Sequence, residues 1–223
     1  MKQKILFIMT VLLGAIGCMA QNIQLPAPSK TGGKTMMEAL WARESGTEFS
    51  DRMLSRQDLA NLLFAAIGVN RRNGKLTTPT AGNKQEIRVF VFTAEGVCEY
   101  LNAENSLKPV ADGDRRNLIA GRQKWVMDAP VVLLIVSDGT KFGRVDERAR
   151  SVMAMDAGIV SQNINIFCAA AGLVTRPRGS MDAEALKILL KLDDNQLPML
   201  NNPVGYRVSK NIPGTLIDRR HRV

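Results

Sequence analysis

Histidine is almost missing from this sequence. The 223 residues contain one, His221, the third residue from the end. A His-centred catalytic triad and a multi-histidine metal site are thereby excluded. Three cysteines are too few for a disulfide scaffold. There is no Walker phosphate loop, no dinucleotide-binding glycine fingerprint, no internal repeat and no low-complexity tract. What is present is ordinary in bulk. The chain is 45% hydrophobic and 23% charged, close to the globular average, which argues against wholesale disorder and collagen-like fibre. Its length suits one large domain or two small ones.

The net charge is +9, from 30 Lys+Arg against 21 Asp+Glu. Such a balance raises the question of an anionic partner: nucleic acid, membrane surface or phosphate. The N-terminus bears on the answer. Lys2 and Lys4 precede an almost unbroken apolar run, Ile5 to Ile16, and Cys18-Met19-Ala20 offers small residues before Gln21. This is the layout of a signal peptide over residues 1–20, and it predicts export to the periplasm. A spanning helix needs about 20 apolar residues, so the run is short for a permanent membrane segment. The alternative is a weak lipoprotein box ending at Cys18, which would add a lipid anchor and a membrane contact. Removing residues 1–20 leaves a charge of +7, and the tail Arg207–Val223 holds +4 of it. Confinement to the tail, together with export, argues against nucleic acid as a partner.

Along the exported chain, residues 21–34 read as a linker with two prolines and Gly32-Gly33. A domain over 35–223 follows. Thr35–Arg43 has helical spacing. Ser55 opens a stronger helix, with Asp58 three residues on and a stripe of Leu59, Leu62, Leu63 and Ala66 that stops near Gly68 and Asn70. Ile87–Thr93 and Val97–Leu101 flank a short turn and predict a hairpin. Asp114–Gly121 suits a short helix. Ala129–Ser137 is continuously apolar, the mark of a strand buried on both faces. Arg144–Gly172 predicts a long buried helix with Val152, Met155, Ile159 and Ile166 inward. Asp182 caps another helix with Leu186 and Leu189 or Leu190 inward, and Val204–Val208 suits a last strand. The class is α+β.

Catalytic side chains are thin. Cys98, in the hairpin, and Cys168, in the buried helix pattern, read as packing residues. A bound cofactor would then supply the reactivity. Three segments suit that. In Arg43-Glu44-Ser45-Gly46-Thr47, a guanidinium and two hydroxyls at alternate positions can converge on one phosphate; a solvated helix end is the plainer alternative. In Pro79-Thr80-Ala81-Gly82-Asn83-Lys84-Gln85, Pro and Gly fix a turn that a flat ligand can approach, and two side-chain amides donate and accept. Leu173–Ser180 follows the long helix, with Gly179 open to close approach.

Taken in order, these segments resemble the nitroreductase-like FMN-dependent fold. Arg43, Ser45, Thr47 and Phe49 stand at the steps of that family's Arg-x-Ser-x-Arg-x-Phe motif. Pro79 to Gln85 matches its Pro-Ser-x-x-Asn-x-Gln loop. The central helix around Asp156–Asn163, then Gly172-Leu173, Arg178-Gly179 and finally Pro203–Tyr206 complete the series. Gly113-Asp114-Arg115 and Asp128-Ala129-Pro130 look most like the branch that contains the azoline-oxidising dehydrogenases.

The resemblance implies a central antiparallel sheet between helices, in an intertwined homodimer with FMN at the interface. It implies that Arg43, Ser45 and Thr47 contact the phosphate and ribityl chain, with Glu44 beside them. Pro79, Thr80, Ala81, Asn83 and Gln85 would line the ring, from the same or the other subunit. Arg178 and Gly179 would reach its far edge through backbone N–H, and Arg219 would add a phosphate contact. Thr47 and Glu44 stand where the family has basic residues, and Lys84 and Glu86 where its loop is often apolar. The Lys–Tyr pair of the azoline-oxidising branch is not identified here, so that activity is not implied. The function expected is an oxidoreductase passing hydride or electrons between a donor and a small organic acceptor, with a redox partner as one source. The alternative is a non-catalytic binder of flavin or another flat ligand.

Overall fold

The computed structural model describes residues 21–208. The expected signal peptide with Cys18, and the tail that carries Arg219, lie outside the described residues. The centre of the fold is one seven-stranded sheet. Its strands are β1 (Ile23–Gln24), β2 (Ile87–Phe92), β3 (Gly96–Leu101), β4 (Ser106–Asp112), β5 (Val131–Asp138), β6 (Leu173–Thr175) and β7 (Gln196–Tyr206). Their order across the sheet is β1-β4-β3-β2-β5-β7-β6, and every pair is antiparallel.

Two cores explain the apolar run of β5. Alternate side chains on a strand point to opposite faces. Leu133 and Ile135 join one cluster with Val89, Val91, Val160 and Ile164. Val132, Leu134 and Val136 join another with Phe90, Phe92, Ile119 and Leu186. Helices α2 (Arg56–Ile67) and α4 (Glu147–Ala171) cover the first face. Helices α3 (Asn117–Ala120) and α5 (Ala183–Leu190) cover the second. Each fully buried Phe or Leu contributes about 1.5–3 kcal/mol of transfer energy. The α+β class and the expected hairpin are therefore present, with Phe92 opposite Val97.

The helix signals act as expected at several ends. The Ser55 side chain accepts from the Asp58 amide, and Leu62, Leu63 and Ala66 are buried. Asp146, not singled out along the sequence, caps α4 through the Ala149 amide, and Gly172 closes it in the left-handed conformation at φ 72°. Asp182 caps α5 with Leu186 and Leu190 inward. A buried arginine joins the two short motifs near α3. Arg116 donates to both Asp114 oxygens, at 3.0 and 2.6 Å, and to the Ala129 carbonyl at 2.7 Å. Those hydrogen bonds hold the Asp114 carboxyl below its ordinary pKa.

Four expectations change. Residues 21–34 are not a free linker: β1 pairs with β4, Leu25 is buried, and Ser29 and Ala27 bond to Asn61 and Gln57 of α2. Backbone hydrogen bonds hold this segment, and side-chain periodicity does not report them. β4 was not foreseen, because Pro109 interrupts its pattern; a register shift in the β3–β4 pairing lies nearby. The last strand starts at Gln196, well before Val204. The buried face of α4 is also different. Met153, Ala157, Val160 and Ile164 point inward, while Met155 and Ile159 are 64% and 38% exposed. Small residues such as Ala149 and Ala157 on the buried side let the helix sit close to the sheet.

Candidate functional site

The first segment starts where helix α1 (Met36–Ala42) ends, with Arg43 as its C-cap. Ser45 then pairs in parallel with Thr175 of β6, and the Gly46 amide donates to the Thr175 carbonyl at 3.2 Å. Glycine is required here: a Cβ at position 46 would lie 2.5 Å from Val174 Cγ1. Phe49 is buried and stacks on Trp125 at 6.2 Å, which pins the far end of the segment. Arg43, Glu44 and Ser45 are exposed and Thr47 is half-buried. A cavity of about 240 Å³ opens between Gly46, Thr47, Glu48, Val174, Arg207 and Val208. The Glu44 carboxylate does not stand alone beside it. Arg207 meets it at 2.6 Å.

The second segment is a tight turn held from three sides. Thr77 and Thr78 donate to carbonyls at the end of α2, on Phe64, Ala65 and Ala66, where helical acceptors lack partners. The Thr80 hydroxyl accepts from the Gln85 amide at 2.9 Å and closes the turn. The Asp156 carboxylate of α4 accepts from the Ala81 amide at 2.9 Å. Gly82, Asn83 and Gln85 all have positive φ, at 59°, 54° and 50°. Non-glycine residues reach that region at a cost, and such residues gather where ligands bind. The Gln85 side-chain amide donates to the Gly74 carbonyl at 3.0 Å. Pro79, Gly82 and Asn83 are exposed, and Thr80 and Ala81 half-buried. Beside the turn, Lys84, Phe142, Arg144, Asp146 and Arg148 line an open cavity of about 350 Å³.

Beneath this turn lies Glu86. It is 1% exposed, and neither carboxyl oxygen meets a donor. Burial, then the adjacent Asp156, push its pKa up to about 7. The sequence marked Glu86 as a charged departure in an apolar position, but nothing in its pattern joined Glu86 to Asp156.

The third segment corrects an expectation. The Arg178 N–H donates to the Asn201 carbonyl at 2.8 Å and is not free for a ligand. Its guanidinium turns inward to Gln123 and Asn201, each at 2.7 Å, and to the carbonyls of Ile119 and Ala120. It also lies over the Trp125 ring at 5.4 Å. Arg178 is a structural arginine. Gly179 next to it is exposed, and a Cβ there would meet open space.

The first and third segments meet along β6, through Ser45 and Thr175. The second is anchored to α2 and α4, and no hydrogen bond among the described residues joins it to the other two. Large apolar side chains lie nearby in exposed positions. Met36, Met37, Leu40 and Trp41 of α1 are 49–87% exposed, and α4 shows Met155 and Ile159. Patches of this kind mark interaction surfaces. Burial raises both thiol pKa values, at Cys98 and Cys168, as for inert packing cysteines. Among the described residues no group of His, Cys, Asp and Glu could hold a metal, and no helix is long and apolar enough to cross a membrane.

Comparison with known proteins gives the class. The pattern of the Nitroreductase family matches residues 40–206. The chain belongs to that family, whose members are flavin-using oxidoreductases. It is 29% identical over 197 residues to the nitroreductase-family protein MJ1384 of Methanocaldococcus jannaschii, covering 84% of this chain and 97% of that one. A solved nitroreductase-family structure from Ralstonia eutropha JMP134 is 30% identical with a TM-score of 0.79, covering 87% and 93% of the two chains. A nitroreductase family protein of Clostridium novyi NT shares the fold at 17% identity, with a TM-score of 0.59 over 79% and 87%.

Proposed function

We propose that this protein is an FMN-dependent oxidoreductase that works as a homodimer outside the cytoplasm. The observation that carries the reading is the turn at Thr80–Gln85. Its strained backbone, clasped by Thr80 and Asp156, presents the exposed Gly82 and the Asn83 side-chain amide to a flat ligand, while the Gln85 amide braces the turn against Gly74. The rest of the donor set fits FMN. Arg43 would fork onto the phosphate and the Ser45 hydroxyl would add a shorter bond. Arg207 stands close by but is engaged with Glu44. Gly179 leaves room for a ring edge. Arg219 in the tail is a candidate for a second phosphate contact. Arg178 is not part of the set.

Two features support a second copy of the chain. The candidate segments fall into two groups, fixed to different parts of the fold. Four of the seven residues of α1 are apolar and exposed. A partner over that face would bury them and bring the two groups to one ligand.

FMN, when bound, supplies the two-electron chemistry. The chain's own groups bind and orient it. The Thr80–Gln85 turn would shield one face from water, and the apolar surface of α1 and α4 would close the site. Export through residues 1–20 keeps free NAD(P)H away. The donor would then be a quinol, a redox protein or the organic substrate itself. No residue of the azoline-oxidising chemistry is carried over.

The test is direct. Protein spanning residues 21–223 is incubated with FMN, desalted, and its absorbance recorded before and after an artificial electron donor. One retained, reducible flavin per chain supports the assignment. A colourless protein overturns it, and retained flavin that no donor reduces favours the non-catalytic binder.

A further inference from the structure

We propose that Glu86 and Asp156 share one proton, and that the shared proton clamps both ends of the Ala81–Glu86 turn to α4. The geometry is simple. Glu86 is 1% exposed and Asp156 is 5% exposed. The Glu86 carboxyl lies within hydrogen-bonding reach of Asp156, and no other side chain among the described residues donates to either Glu86 oxygen. Two ionised carboxylates only accept hydrogen bonds, and they repel each other in a poorly solvated site. One therefore keeps its proton and donates it to the other. Asp156 also accepts the Ala81 amide at 2.9 Å. One α4 side chain thus holds the first residue of the turn by a backbone N–H and the last by a carboxyl.

The surroundings leave the pair without a counter-ion. Lys84 opposes the rise only weakly: its ammonium donates to the Lys141 carbonyl at 3.0 Å and lies over Phe142 at 5.0 Å. From β5, the Asp138 carboxylate is taken by Thr140, at 2.6 Å to its hydroxyl. The Ser137 hydroxyl of β5 is buried, neutral and without a hydrogen-bond partner. On α4, Asp156 is buried together with the apolar Met153 and Ala157.

The turn needs such a clamp. Gly82, Asn83 and Gln85 hold positive φ, so the turn persists only where its ends are fixed from outside. Burial and Asp156 put the Glu86 pKa at about 7. Below that pH the proton joins the carboxyls. Above it they carry two negative charges, and one end of the turn is pushed off α4. Glu86 and Asp156 are positioning residues that act through the turn they hold. Only the last step, from turn to ligand, rests on the flavin reading above.

The experiment uses protein purified from expression of the full chain. Its first readout needs no flavin: the Glu86 carboxyl carbon shift and the Ala81 amide exchange rate, by NMR from pH 5 to 9. The expected result is a Glu86 midpoint near 7. Ala81 exchange should rise through the same pH by about tenfold beyond the intrinsic base dependence. Glu86→Gln, which keeps the neutral shape, should leave Ala81 protected throughout. Asp156→Asn, the second variant, should lower the Glu86 midpoint by removing the neighbouring carboxylate, while burial still holds it above 4.5. The second readout is FMN affinity: about tenfold weaker at pH 8.5 than at pH 6 in the natural chain, and level in Glu86→Gln. A Glu86 midpoint near 4.5, or an Ala81 profile unchanged by Glu86→Gln, overturns the clamp. An intact Ala81 midpoint in a chain that binds no FMN supports the clamp and overturns the flavin reading instead.

Discussion

The Glu44 carboxylate and the Arg207 guanidinium meet at 2.6 Å, between the end of α1 and the residue after β7. Both side chains are more than half exposed, at 62% and 55%. An exposed pair adds only about 0–1 kcal/mol to stability. Its larger effect is on charge, because Glu44 holds a cation that a phosphate would otherwise recruit. Glu44→Gln should therefore leave the thermal midpoint nearly unchanged and tighten FMN binding by about tenfold at low salt. Fluorescence titration at two ionic strengths checks this. Unchanged affinity would place the phosphate away from Arg207.

Stability should fall as pH rises through the range set by Glu86. Its folded pKa, about 7, is raised above the ordinary 4.5. The native state then binds more protons than the unfolded chain between those values, so the contribution is fully present below 4.5 and lost by about 7. Urea midpoints should decline over that window, and Glu86→Gln should flatten the decline. A midpoint that rises from pH 5 to 7 would show other groups in control.

Arg178→Met tests the structural reading of that arginine. It strips donors from Gln123, Asn201 and two backbone carbonyls at once. Leaving buried acceptors unpaired is expensive, and a loss of about 3–5 kcal/mol is expected. Denaturant unfolding measures it. A fold of unchanged stability with lost flavin affinity would restore Arg178 to the ligand site.

Ile159→Lys tests the proposed second copy. Ile159 is already 38% exposed on α4, so the single chain should tolerate the charge within about 0.5 kcal/mol. A partner covering this face would not. Light scattering should report dimer for the natural chain and monomer for the variant, with native circular dichroism. Two monomers of equal mass would remove the dimer from the proposal.

Much of this was legible in the sequence. Ser55 and Asp182 cap the helices they precede, because a side chain that satisfies an orphan amide is a local device. The run Ala129–Ser137 announced a strand buried on both sides, and the order of the three candidate segments announced the family. Local patterns gave less at Pro109 and at Ile23–Gln24, where backbone pairing with distant strands makes the strand.

By itself, then, the sequence determined most of the helices, the β2–β3 hairpin and β5, the α+β class and the segments Arg43–Thr47 and Pro79–Gln85, since each depends on residues a few positions apart. Tertiary structure alone decided which face of α4 is buried, because Met155 and Ile159 are as apolar as the residues that packed, and only closeness to the sheet separates them. It turned Arg178 inward, where Gln123 and Asn201 await it from other elements. It also brought Asp156 to Ala81, seventy-five residues away, and to Glu86. Contacts of that span carry no periodicity, so no reading along the chain can find them.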